Sequence, residues 1–172
     1  MTHRDDDPFR TSRGLPRFAR RCDAVFADVL AGFGFARTDR IDEHPHYGHT
    51  YRAGARYVAV LANLDPADAP NHCELLLGEG SDDEAERELN ALPIAAFASA
   101  AQANADPMDA PGAEYELAAP RELTRVLERM RRDLLLHAQD FLIGDLTRFR
   151  ALRGDVAGAW HGDERRRDEW GV

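Results

Sequence analysis

Apolar residues recur with a helical period near the start of the chain. Phe18, Cys22, Val25, Phe26, Val29, Leu30 and Phe33 fall on one stripe, which predicts an amphipathic helix with a single buried face. Pro16 stands where a first helical turn needs no backbone N–H, and Gly32 with Gly34 supplies the stop signal. After Gly34 the period shortens to two. Residues 35–41 read as a first strand, and residues 49–52 and 55–62 as two more that meet at the tight-turn pair Ala53-Gly54. Within the last of these, Tyr57, Ala59 and Leu61 alternate with Val58 and Val60, so the two sets face opposite sides. Asp65-Pro66 and Ala69-Pro70 punctuate the next loop, and residues 72–77 make a fourth short strand that stops at Gly78.

The second half returns to helical spacing. Residues 79–90 are strongly acidic and read as a solvated loop or the start of a helix. The alanine-rich stretch from Leu92 to Ala103 reads as a helix with Pro93 at its first position, and residues 104–119 as a connector. Pro120 opens the strongest periodicity in the chain. Leu123, Val126, Leu127, Met130, Leu134, Leu135, Ala138, Phe141 and Leu142 keep the 3.6-residue repeat as far as Gly144. Asp145 then fits the cap of a short last helix carrying Leu146, Phe149 and Leu152 and ended by Gly154. Successive strands with short connections, flanked by helices, predict an α+β fold: an N-terminal helix, a four-stranded antiparallel meander, and a long C-terminal helix packed on the sheet. A single domain over 15–154 is expected, between a flexible polar segment at 1–14 and a polar tail at 155–172.

Composition limits the classes of function. A chain of 172 residues with 44% hydrophobic side chains has the material for one core without a metal or disulfide staple. No stretch approaches the ~18–20 apolar residues of a membrane span. The opening MTHRDDDPFR lacks the apolar segment of a secretory signal. Two cysteines, Cys22 and Cys73, do not make a disulfide framework, so a reducing, cytoplasmic setting is the expectation. All 22 basic residues are arginine, which closes the routes to a P-loop and to lysine-based catalysis.

The net charge of −9 is unevenly spread. Residues 41–118 hold fifteen acids and three arginines, a net of −12, between flanks that are nearly neutral. Such a field repels phosphate backbones and argues against nucleic acid. The local exception is Arg10, Arg13, Arg17, Arg20 and Arg21, whose simplest reading is a solvated helix flank. Charge spread over a surface favours encounter with a large basic body, so a basic protein is the expected partner. The acids that would meet it are Asp65, Asp68, Glu79, Asp82, Asp83, Glu84 and Glu86.

Catalytic chemistry is harder to find. His44, His46 and His49 cluster, and His72 falls on a neighbouring predicted strand, a set of imidazoles suited to zinc or nickel. The spacing matches no paired structural zinc motif, and a locally hydrogen-bonded histidine loop is the plainer reading. Cys73 should point to the core with Leu75 and Leu77, away from His72 and Glu74, so no Cys–His pair forms there. The three serines, Ser12, Ser81 and Ser99, lie outside any nucleophile elbow. The carboxylates of residues 82–88 repel one another into solvent instead of forming an acid/base pair with split pKa values.

Three segments together carry a resemblance: the first helix running into Gly32-Phe33-Gly34-Phe35; Tyr51-x-x-Gly54-x-x-Tyr57-Val58-x-Val60; and Leu136-x-x-x-Asp140-x-Leu142-x-Gly144-Asp145-x-x-x-Phe149. The chain resembles small bacterial α+β proteins that include immunity-type members of polymorphic toxin systems. The resemblance covers residues 18–64 and 120–152 and implies a helix ahead of an antiparallel sheet, with a long helix packed across it. It implies no catalytic residue. The leading expectation is therefore a non-enzymatic, immunity-like protein-binding domain. A metal-binding protein or metal-dependent hydrolase built on the histidines is the alternative, and a homo-oligomer using Trp160, Trp170 or the long helix is left open.

Overall fold

A computed structural model describes residues 17–43, 46–63, 71–80, 90–101, 115–117 and 120–154. Helix α1 (Arg17–Ala31) buries Phe18, Cys22, Val25, Phe26 and Leu30, the stripe expected from the spacing. Its end is a double backbone closure. The Phe35 N–H donates to the Leu30 carbonyl and the Gly34 N–H to that of Ala31, with Gly34 at φ 82°. This is a Schellman turn, and a residue with a Cβ would be strained at Gly34. The buried pair Leu30 and Phe35 closes it on the apolar side.

The chain then builds an antiparallel sheet: β1 (Ala36–Glu43), β2 (His46–Ala53), β3 (Arg56–Asn63), β4 (Asn71–Glu79) and the short β5 (Ala91–Pro93), side by side in that order. Helix α2 (Ile94–Ala101) follows, and β6 (Glu116–Leu117) adds to the same edge of β4 as β5. The order is the expected meander, extended from four strands to five along its path. The extra strand comes from Leu92, which the alanine-rich composition had assigned to a helix. Leu92 pairs with Leu77 instead, and α2 begins only at Ile94. Cross-strand packing of a buried leucine outweighs local helix propensity here.

Pairing fixes which side chains share a face. Tyr47, His49 and Tyr51 stand opposite Ala62, Val60 and Val58, which stand opposite Cys73, Leu75 and Leu77. This inner face meets α1 and α3 (Leu123–His137), whose Leu123, Val126, Leu127, Met130 and Leu134 are buried. On the other face, Tyr57 lies over Gly78, where an added Cβ would come within 2.0–2.3 Å of the ring. Gly78 is therefore the vacancy that lets a tyrosine lie flat across β4. Among the described residues β1 is the edge of the sheet, and it has a register shift between Arg37 and Asp39. Its bulge and its exposed Arg37, Asp39 and Arg40 discourage pairing with another strand.

The C-terminal periodicity does not make one long helix. Helix α3 ends at His137, Ala138 leaves helical geometry, and α4 (Gln139–Ile143) resumes for little more than a turn. A helical segment, α5, spans 147–154, with Asp145 accepting from the Thr147 N–H as the expected cap. The breaks let Phe141 and Phe149 converge with Phe97 of α2 at ring separations of 5.2–6.4 Å.

Broken helices leave open carbonyls, and arginine closes them. Arg148 donates to the carbonyls of His137 and Phe97. Arg56, from the hairpin end of β3, donates to Phe141 and Leu142 at 2.7 Å each, with its guanidinium 5.0 Å from the Phe35 ring centroid. Gly144 (φ 100°) forms a second Schellman turn directly beneath it.

Two stability outcomes follow from these contacts. Arg56→Ala should lower unfolding free energy by about 2–3 kcal/mol, since it strands two helix-end carbonyls, and Arg56→Lys should recover only part because an ammonium lacks the planar fork. Gly78→Ala should cost about 1–3 kcal/mol by overpacking against Tyr57. Urea unfolding monitored by circular dichroism measures both.

Candidate functional site

The structure separates the histidines. His46 opens β2 instead of lying in a loop, so His46 and His49, three apart on a strand, face opposite sides of the sheet. His46 is exposed on the outer face, in the same cross-strand row as Asn63 and His72. His72 is also exposed and lies 3.5 Å from Glu74. His49 is fully buried on the inner face. His44 lies outside the described residues. Among the described residues no three histidines, cysteines or acids stand together in a way that could hold a metal ion.

Of the proposed partner-binding acids, Asp65, Asp68, Asp82, Asp83, Glu84 and Glu86 lie outside the described residues. Glu79 ends β4, and Arg150 from α5 grips both its oxygens, at 2.5 and 3.1 Å. That guanidinium holds the Glu79 carboxyl below the usual carboxylate range. Glu79 thus fastens α5 to the sheet, a role its place in an acidic run did not reveal.

Among the described residues, chemical side chains group most densely in the seam between α1 and β2. Asp23 of α1 sits at its centre. It pairs with Arg37 of β1 and accepts from the Tyr51 hydroxyl at 3.3 Å, and its Oδ1 lies 3.3 Å from His49 Nδ1. The last contact is too poorly aligned for a hydrogen bond, and neither ring nitrogen of His49 has a hydrogen-bond partner. Cys22 Sγ lies 3.8 Å from the Tyr51 hydroxyl, and Phe18 packs edge-on against the His49 ring. Sequence reasoning missed this cluster because it treated His49 as part of a histidine run. The usable signal was the period-two series Tyr47, His49, Tyr51, which marks a single face of a strand.

These environments oppose nucleophilic chemistry. Burial raises the Cys22 thiol far above its usual range, and burial pushes Cys73 up to about 12. Burial likewise raises Tyr51. Burial lowers His49, against the pull of Asp23 and with the push of Arg37 and Arg40. Around neutral pH the cluster holds a neutral imidazole, a neutral thiol and a neutral phenol around an Asp–Arg ion pair. A thiolate nucleophile needs the opposite balance. Cys73 points inward with Leu75 and Leu77, as its strand parity required.

Fold and seam define an α+β protein in which, among the described residues, helices cover one face of an open antiparallel sheet. Comparison with protein-family models, with curated proteins and with solved structures finds no match. Among the described residues no helix is long and apolar enough to cross a membrane.

Both cysteines should resist a water-soluble disulfide reagent at pH 8 in the native protein and react rapidly in denaturant, because each is a buried neutral thiol. Thiol titration against time, with and without guanidinium, provides the measurement.

Proposed function

We propose that the chain is a non-enzymatic protein-binding domain, immunity-like in kind, that offers an acidic surface to a basic protein partner. What carries this reading is how the two signs of charge are used. Arginines serve the fold itself. Arg56 and Arg148 close helix ends, Arg52 donates to the Gly80 carbonyl, Arg37 holds Asp23, and Arg150 holds Glu79. The acids of residues 41–118 outnumber arginines five to one. Glu74 and Glu116, within that segment, are exposed. A chain that engages these arginines in its own contacts and concentrates its negative charge in one segment favours a cationic protein over a phosphate polymer.

The test replaces Asp65, Asp68, Asp82, Asp83, Glu84 and Glu86 by Asn or Gln and leaves Glu79 on Arg150. Wild type and variant are used to capture partners from lysate of the source cell at low salt. A basic protein retained by wild type, released by a high-salt wash and lost from the variant supports the reading. For that partner, the wild-type association rate should fall by at least tenfold between low and high salt, and the variant's rate should change little. A partner captured equally by both proteins, with a salt-independent rate, overturns it.

A further inference from the structure

His49 is fully buried, and its nearest polar neighbour is the Asp23 carboxylate, 3.3 Å from Nδ1. Buried polar groups are nearly always hydrogen-bonded, yet both nitrogens of this ring lack such a partner. The surroundings are asymmetric. From α1 the ring meets Asp23, and Phe18 stands edge-on to it. From β1 come two arginines: Arg40 is directly opposite His49 in the register, and Arg37 holds the Asp23 carboxylate. From β2 come Tyr47 and Tyr51 on the same face, and from β3 the apolar Val60. A proton added to this ring would place a third positive charge beside one carboxylate that Arg37 already engages. It would do so at a fully buried position beneath α1.

We propose that His49 is an acid-sensitive latch: with the ring neutral, α1 is seated on β2, and protonation of the ring releases the N-terminal half of α1 from the sheet. The helix is suited to this because its grip on β2 runs through the residues that touch the ring or its neighbours: Phe18 on Tyr47 and His49, Cys22 and Asp23 on Tyr51, and Phe26 on Tyr51. Release would give the imidazolium water and uncover Phe18, Cys22 and Phe26. The direction follows from proton linkage. An exposed histidine titrates near 6.5, and burial lowers His49 in the seated state. The open state therefore binds the proton first. Seating is complete above that value and weakens as pH falls through it, by up to about tenfold in the opening equilibrium per pH unit.

The experiment follows amide hydrogen exchange residue by residue between pH 7.5 and 5, corrected for the intrinsic pH dependence of exchange. A parallel titration follows the His49 ring by NMR. The expected result is selective loss of protection in α1 below about pH 6.5, with β3 amides unchanged, and a ring that titrates below the value of an exposed histidine. His49→Phe keeps a ring in place without the titration and should abolish the acid dependence. Arg40→Gln, at an exposed edge position, removes the opposing like charge and should shift the opening to lower pH, with β3 protection at pH 7.5 checking that the sheet is retained. Acid-dependent opening of α1 that persists in His49→Phe overturns the latch. So does an α1 that stays protected at pH 5, or a His49 ring that titrates at or above the value of an exposed histidine.

Discussion

The contact on which the architecture most depends is the fork of Arg56. It leaves the tip of the β2–β3 hairpin, where Gly54 at φ 62° turns the chain, and lands on the last carbonyls of α4. On the way it crosses the ring of Phe35, the residue that closes α1. One side chain thereby joins the end of the first helix, the centre of the sheet and the end of the broken C-terminal helix. These are three segments far apart in sequence whose relative placement defines the inner core. Helix termini carry unsatisfied carbonyls that cannot be buried bare, and a guanidinium can satisfy two of them with one charge. A chain whose basic residues are all arginine is well supplied for this, and Arg148 repeats the solution at the break between α3 and α4.

The same economy shapes the seam under α1. Asp23 stands among an arginine, a tyrosine and a histidine, with Arg37 on one oxygen and Tyr51 and His49 both near the other. Arg37 and Tyr51 are served, and His49 is left in ion-pair distance without a bond. That ordering explains a neutral, buried imidazole in a place where a histidine-rich sequence suggested a metal ligand. In the seam charge is matched against charge, while the surplus of acid lies in the sequence between β1 and the third helix.

Much of the fold was legible in the sequence where a local signal and a tertiary demand coincide. The α1 stripe, the glycine stop, the hairpin at Gly54, the alternation along β3 and the Asp145 cap all appear where spacing placed them. Misreadings arose where the two conflict. Residues 91–93 have helical composition but complete the edge of β4. The repeat through Leu142 is continuous in sequence, yet Phe141 reaches Phe97 and Phe149 only if the helix breaks at Ala138. His46 and His49 look like one cluster, and strand parity sends them to opposite faces.

By itself the sequence determined the first helix and the first four strands, the inner and outer faces of the middle strands, the inward orientation of Cys73 and the separation of charge along the chain. Each of these follows from period, parity or composition, which are properties of neighbours in the chain. Only the tertiary structure decided that Glu79 belongs to Arg150, that Arg56 caps a helix some 85 residues away, and that Asp23 meets His49 across the α1–β2 seam. Those pairings depend on how a helix is seated on a sheet, and no local pattern encodes the distance between residues that meet only after the core has closed.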